Sequence, residues 1–131
     1  MIKCFVINLD RRKDRLEKIS SHLHKNHFRF ERFSAIDAEK ESLSELSKNI
    51  SQYGPLGKIS KGDLACFQSH YTLWKYIAEN ENYPILILED DSYISKTGFK
   101  LLKNIKWIPS DSNIIKCERF GNSRHKVLLS P

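Results

Sequence analysis

The sequence predicts an α/β fold, a mainly parallel sheet with helices on both faces, and three observations carry that reading. Apolar, β-branched runs at 2–9 and 84–88 are short and continuous, as strands buried on both sides are. Between them, residues 11–25 and 60–78 place apolar side chains at helical spacing. The resulting order of strand, helix, strand, helix, helix, strand, helix, strand supplies the crossovers that parallel strands require.

Ile2 to Leu9 is the first strand, and it stops at the polar edge Asn8-Leu9-Asp10, where Asp10 is placed to cap the next element. Residues 11–25 follow as an amphipathic helix, with Leu16, Ile19 and Leu23 set among Arg11, Arg12, Lys13, Arg15, Glu17 and Lys18. Arginines at a helix start oppose the helix dipole, a cost that a bound anion would offset. The competing reading is a solvated basic face with Asp14 and Glu17 as local partners.

Phe28 to Ile36 is a second strand. Leu43, Leu46 and Ile50 then mark a weak surface helix over 39–50, ended by the loop Tyr53-Gly54-Pro55-Leu56-Gly57. Ser60 and Asp63 form a variant capping box for a core helix whose stripe is Leu64, Phe67, Tyr71, Trp74, Ile77 and Ala78. Asn80 to Pro84 turns into the acidic strand. Ser92 to Trp107 holds a short helix with Phe99, Leu102 and Ile105, and Ile114 to Cys117 reads as a last strand.

At 131 residues the chain fits a single domain, 1–131, able to bury its own core. Its 40% hydrophobic and 29% charged residues exclude the disordered and fibrous classes. The net charge of +6 and pI near 9.3 favour an anionic partner: a nucleotide, a nucleic acid or an acidic membrane face. No run of five or six like charges, no interleaving of aromatic and basic residues and no helix-turn-helix signal supports nucleic acid.

Cys4, Cys66 and Cys117 lie in apolar segments without CxxC spacing, which reads as reduced core cysteines and gives no zinc motif. The apolar start is too short for a signal peptide and no run is long enough to span a bilayer, so the expected location is the cytoplasm. Dinucleotide, P-loop and serine-hydrolase motifs are absent.

The stretch Pro84-Ile85-Leu86-Ile87-Leu88-Glu89-Asp90-Asp91 delivers three adjacent carboxylates to a strand end. Ligands of open α/β sheets bind beyond the carboxyl ends of strands. Adjacent acids repel unless a cation or solvent neutralises them, and hard oxygen ligands suit Mg²⁺ or Mn²⁺. The alternative is a solvated turn. If the ends of the first and the acidic strands share one edge, a nucleoside diphosphate with a bridging metal answers both the arginines and the acids. His70 reads as a packing residue beside the core stripe, and His22, His24 and His27 lack the spacing of a helical metal pair.

Four segments in this order resemble glycosyltransferase family 25, the lipooligosaccharide and lipopolysaccharide galactosyltransferase-like enzymes. They are Val6-Ile7-Asn8-Leu9-Asp10-Arg11-Arg12-Lys13-Asp14-Arg15, Phe33-Ser34-Ala35-Ile36-Asp37-Ala38, Lys61-Gly62-Asp63-Leu64-Ala65-Cys66-Phe67-Gln68-Ser69-His70 with Leu73-Trp74, and Ile85-Leu86-Ile87-Leu88-Glu89-Asp90-Asp91. The resemblance implies a GT-A-like fold with a Rossmann-type nucleotide-binding half, and transfer of a hexose, galactose foremost, from a UDP-sugar to a bacterial surface glycan.

It further implies that Glu89, Asp90 and Asp91 act as the DxD motif holding Mn²⁺ or Mg²⁺, with Asp91 the direct ligand. Asn8, Arg11, Arg15, Ser69 and His70 would line the donor nucleotide. Asp63 and Ala65 stand where the family usually shows Glu and Gly. Members are commonly longer, and their further part would complete the acceptor site and supply the catalytic base; after Asp91 the acids here are Asp111 and Glu118, and neither is assigned that role. The implied acceptor is a lipid-linked oligosaccharide at the inner face of the inner membrane, reached by peripheral attachment through the basic surface. The alternative is an inactive nucleotide-sugar-binding fragment.

Overall fold

A computed structural model describes residues 2–117; Glu118 lies outside them. Its centre is β1 (Lys3–Asn8), flanked in parallel by β2 (Glu31–Ser34) on one side and β5 (Ile85–Glu89) on the other, giving the sheet order β2-β1-β5. The chain leaves β1 through α1 (Lys13–Lys25) to reach β2. It then returns past β1 through α2 (Leu43–Leu46), the short antiparallel pair β3 (Tyr53–Gly54) and β4 (Gly57–Lys58), and α3 (Lys61–Asn80) to reach β5. Strand order therefore reverses at β1. A crevice opens at such a reversal, between the carboxyl ends of β1 and β5. A fourth helix, α4 (Lys96–Leu102), and a 3-10 turn (Ile105–Trp107) follow.

The two-residue period of the strands distributes the core over both faces. Cys4, Val6 and Leu86 pack with Ile19 and Leu23 of α1 and with Phe99 and Leu102 of α4. Phe5 and Ile7 point the other way, onto Leu73 and Ile77 of α3, together with Ile85 and Ile87. A smaller cluster of Leu46, Leu64 and Ala65 fastens α2 under the start of α3. The expected fold class is thus observed: a parallel sheet covered on both faces.

Several local expectations change. Asp10 does not cap α1, whose N-cap is Arg12 without a side-chain cap bond; Asp10 accepts hydrogen bonds from Arg32 and Ser34 instead. The second strand is shorter than predicted: α1 ends at Lys25 as expected, but the chain then turns through His27, in the left-handed region at φ 54°, with Phe28 N–H donating to the Leu23 carbonyl, which carries Phe28 into the core ahead of the ladder. Only Leu43–Leu46 of the predicted 39–50 helix is helical. The Tyr53–Gly57 loop is a tight hairpin, in which Gly57 adopts φ 108°.

On α3 the buried face is rotated from the predicted stripe. Leu64, Ala65, Gln68, Ser69 and Leu73 face inward, whereas Trp74 and Ala78 are exposed. Apolar periodicity misplaced the face because two inward residues are polar and satisfy backbone groups of neighbouring segments: Gln68 donates to the Leu46 carbonyl and Ser69 accepts from Ile36 N–H. Ile114 to Cys117 forms no strand, since it finds no ladder partner among the described residues and Ile114 is 74% exposed. Of the three cysteines expected in the core only Cys4 is buried; Cys66 and Cys117 are exposed.

Candidate functional site

In the β1–β5 ladder Ile7 stands opposite Glu89, so Asn8 and Asp90 emerge side by side where the two strands end. Val6 and Leu88 face α1, and the period of two carries Asn8 and Asp90 toward that same face. Asn8 is 2% exposed, and its amide nitrogen donates to Asp90 Oδ2 at 2.7 Å and to the Arg12 carbonyl at 3.0 Å. Its amide oxygen accepts from Arg32 Nε at 2.9 Å, and Arg32 also reaches the Asn8 carbonyl. The other oxygen of Asp90 accepts from Arg15 Nη1 at 3.1 Å. A buried carboxylate is tolerated only when its oxygens are matched in this way.

These bonds give the basic helix start a structural role. Arg12 is paired with Asp14, Arg11 with Asp37 and Glu39, and Arg15 with Asp90 and, at 3.4 Å, with Asp91. The Arg12 guanidinium holds Asp14 down to about 2, while Arg11 and Arg32 lower Asp37 and Asp10 from the ordinary carboxylate value. For Arg12 the local-partner reading therefore holds. Arg15 instead ties α1 to the end of β5.

The three consecutive acids do not converge on one point. Asp90 is buried against Asn8 and Arg15. Asp91 is 62% exposed along its side chain and touches Arg15 only at long range. Glu89 follows Ile85 and Ile87 toward α3, where His70 Nε2 lies 3.0 Å from Oε1 and the Cys66 thiol donates to the same oxygen at 3.8 Å. The His70 bond lowers the Glu89 pKa, and loss of solvent, then the Glu89 charge, raise that of Cys66. Ser69, one residue earlier on α3, is 2% exposed and binds backbone, accepting from Ile36 N–H at 2.9 Å and donating to the Ala65 carbonyl at 2.8 Å.

The expected site residues thus divide by position. Asn8, Arg15, Asp90 and Asp91 form one contiguous group; Arg11 is paired instead with Asp37 and Glu39; Glu89 and His70 form a second group; Ser69 secures the chain after β2. Arg32, Asp37 and Cys66 were not singled out, although Asp37 and Cys66 stand inside segments quoted above. A recess of about 410 Å³ lies elsewhere, along Asn49, Gln68, Tyr71, Thr72, Lys75 and Tyr76. It holds no cluster of acids and lies between α3 and the segment after α2.

All the segments just described fall in one sequence profile. That of glycosyltransferase family 25 (LPS biosynthesis protein) matches residues 1–128. The chain belongs to this family. It is 31% identical over 123 residues to the lipooligosaccharide biosynthesis protein lic2B of Haemophilus influenzae, an alignment covering 90% of this chain and 46% of that protein. It is 36% identical over 119 residues to the putative glycosyltransferase R655 of Acanthamoeba polyphaga mimivirus, covering 87% and 36%. With human procollagen galactosyltransferase 2 it shares 30% over 122 residues, covering 85% and 20%. The chain spans less than half the length of these curated relatives.

The fold explains why four separated blocks signal family 25. The first ends β1 and opens α1, the second ends β2 and continues past it, the third is the start of α3 and the fourth is β5 with its acids. Their polar members meet at one end of the sheet. Among the described residues no helix is long and apolar enough to cross a membrane.

Proposed function

We propose that this chain forms the donor-nucleotide side of a family 25 sugar transferase that moves a hexose, galactose foremost, from a UDP-sugar to a lipooligosaccharide or lipopolysaccharide glycan. The observation that carries the reading is the exposed Asp91 carboxylate beside Arg15 at the point where strand order reverses. A crevice at that point is where α/β sheets take nucleotides. The relatives named for lipooligosaccharide biosynthesis and galactosyl transfer support the choice of acceptor and sugar.

The donor set fits a hard divalent cation. Asp91 offers exposed carboxylate oxygens, and Mg²⁺ or Mn²⁺ is usually held by one or two carboxylates together with substrate phosphates. Asp91 would be the direct protein ligand, with Asp90 holding the strand end in place rather than offering free oxygens. Bound there, the cation would neutralise charge gathering on the leaving diphosphate. Arg15 is placed to turn from Asp91 toward a phosphate oxygen, and Arg11, four residues earlier in the turn before α1, would have to leave Asp37 and Glu39 to do the same. The acceptor would be lipid-linked, approached by a chain whose net charge of +6 favours an anionic membrane face.

Calorimetry with UDP, with and without Mn²⁺, on the chain and on Asp91→Ala tests this. Metal-dependent binding that is lost in the variant supports the reading. Absence of binding by the unmodified chain overturns it. Binding without sugar transfer to any glycan acceptor would favour a second reading, a nucleotide-sugar-binding unit.

A further inference from the structure

Cys66 and His70 lie four residues apart on α3, the spacing that puts two side chains on one helix face a turn apart. The end of β5 brings Glu89 between them. One ligand atom from each of the three lies within 4.8 Å of the others, the sole such group of three or more histidine, cysteine or acidic side chains among the described residues. A tetrahedral zinc ion with ordinary bond lengths separates sulfur, nitrogen and oxygen ligands by about 3.3–3.6 Å. Here the imidazole nitrogen and carboxylate oxygen are 3.0 Å apart, and the sulfur and that oxygen 3.8 Å. Those two edges differ from the zinc values by a few tenths of an ångström, and the sulfur–nitrogen edge, within 4.8 Å, closes to about 3.6 Å by rotation of the exposed Cys66 side chain.

We propose that Cys66, His70 and Glu89 are a three-ligand site for a borderline divalent cation of the zinc class, separate from any oxygen-ligated metal at Asp91. The ligand chemistry selects the metal. A thiolate and an imidazole favour Zn²⁺ or Co²⁺ over Mg²⁺ or Mn²⁺, which prefer oxygen throughout. The electrostatic surroundings are right for a cation, since Asp63 and Asp91 add their charge near the thiol. On binding, the cation takes the lone pairs of all three ligands and the Cys66 proton leaves to solvent.

Three protein ligands leave a fourth position open. Cys66 and Glu89 are both exposed, so that position faces water, as it does in zinc sites that exchange a ligand. The site sits at the C-terminal end of β5, two residues before Asp91, yet β-strand alternation turns its carboxylate away from Asp90 and toward α3. It does not depend on the nucleotide reading.

Cobalt titration of the reduced, purified chain tests the proposal, because a Co²⁺–thiolate bond gives a near-ultraviolet charge-transfer band that oxygen and nitrogen ligands do not. One equivalent should produce the band, and Zn²⁺ should erase it by displacement. Cys66→Ser should abolish the band. His70→Ala should weaken Zn²⁺ binding, measured against a chromophoric chelator, by more than the roughly 10–100-fold that loss of an outer-shell partner costs. Asp91→Ala should leave the band intact, so that failure of nucleotide binding and failure of this site are told apart. No band in the unmodified chain, or a band that survives in Cys66→Ser, overturns the assignment. Circular dichroism of each variant confirms the fold, which the exposed position of Cys66 should spare.

Discussion

Replacing Asn8 with Ala should loosen the whole strand-end network, and the size of the effect follows from its bonds. The amide nitrogen donates to a buried, charged carboxylate at 2.7 Å and to the Arg12 carbonyl at 3.0 Å. A hydrogen bond to a charged group contributes about 1.5–3 kcal/mol and a neutral one about 0.5–1.5. The third bond, from Arg32, weighs less because that side chain is 32% exposed and can return to water. The expected loss is therefore about 2–4 kcal/mol, a large share of the 5–15 kcal/mol typical of a domain. In urea, with a slope of about 1–3 kcal/mol per molar, the midpoint should fall by roughly 0.7–4 M. The decisive measurement is the double-mutant cycle with Asp90→Asn. Without the charge at position 90, Asn8→Ala should cost at least about 1 kcal/mol less, because a charged bond has become a neutral one. Single effects that simply add, within about 0.5 kcal/mol, would refute the idea that Asn8 is retained to hold a buried carboxylate.

Ser69→Ala removes the acceptor of the Ile36 N–H and leaves a part-buried donor unmatched, so urea denaturation should register a loss of about 1–3 kcal/mol. An unchanged midpoint would mean that water replaces the hydroxyl and that Ser69 is not a structural pin. Acid should destabilise the protein through Asp10, Asp14 and Asp37, whose folded pKa values are all lowered by arginine partners. Groups of this sign add stability above the unfolded carboxylate value near pH 4 and lose it as pH falls through the folded value, about 2 for Asp14. Urea midpoints should thus be steady from about pH 7 to 5 and fall below about pH 4; a midpoint that rises on acidification would contradict the ion pairing at the start of α1.

The sheet was legible because β1 and β5 are covered on both faces and therefore apolar over consecutive positions, Cys4 to Ile7 and Ile85 to Leu88, a signal that needs no knowledge of neighbours. The buried face of α3 was not. Apolar periodicity chose Phe67, Tyr71 and Trp74, while the fold turned Gln68 and Ser69 inward to meet the Leu46 carbonyl and the Ile36 N–H. Those backbone groups lie more than twenty residues away in sequence, and periodicity within one helix carries no information about them. Ile114 to Cys117 forms no strand for the related reason that β propensity does not supply a ladder, and none runs along this segment among the described residues.

The acidic triplet shows the same limit at the level of chemistry. Three adjacent carboxylates read along the chain as one cluster, but a strand sends consecutive side chains to opposite faces. Glu89 is therefore committed to α3 and Asp90 to α1 before any ligand arrives, which leaves Asp91, beyond the ladder, as the acid with exposed oxygens. The same alternation that divides the acids assembles the Cys66, His70 and Glu89 group. A four-residue spacing on a helix was visible in the sequence, whereas its third member could be found only by knowing which strand face α3 covers. If the cobalt band appears and Asp91→Ala preserves it, residues 89 and 91 serve two cations of different chemistry, a division that follows from β5 ending at Glu89, which leaves Asp91 in the turn beyond the ladder.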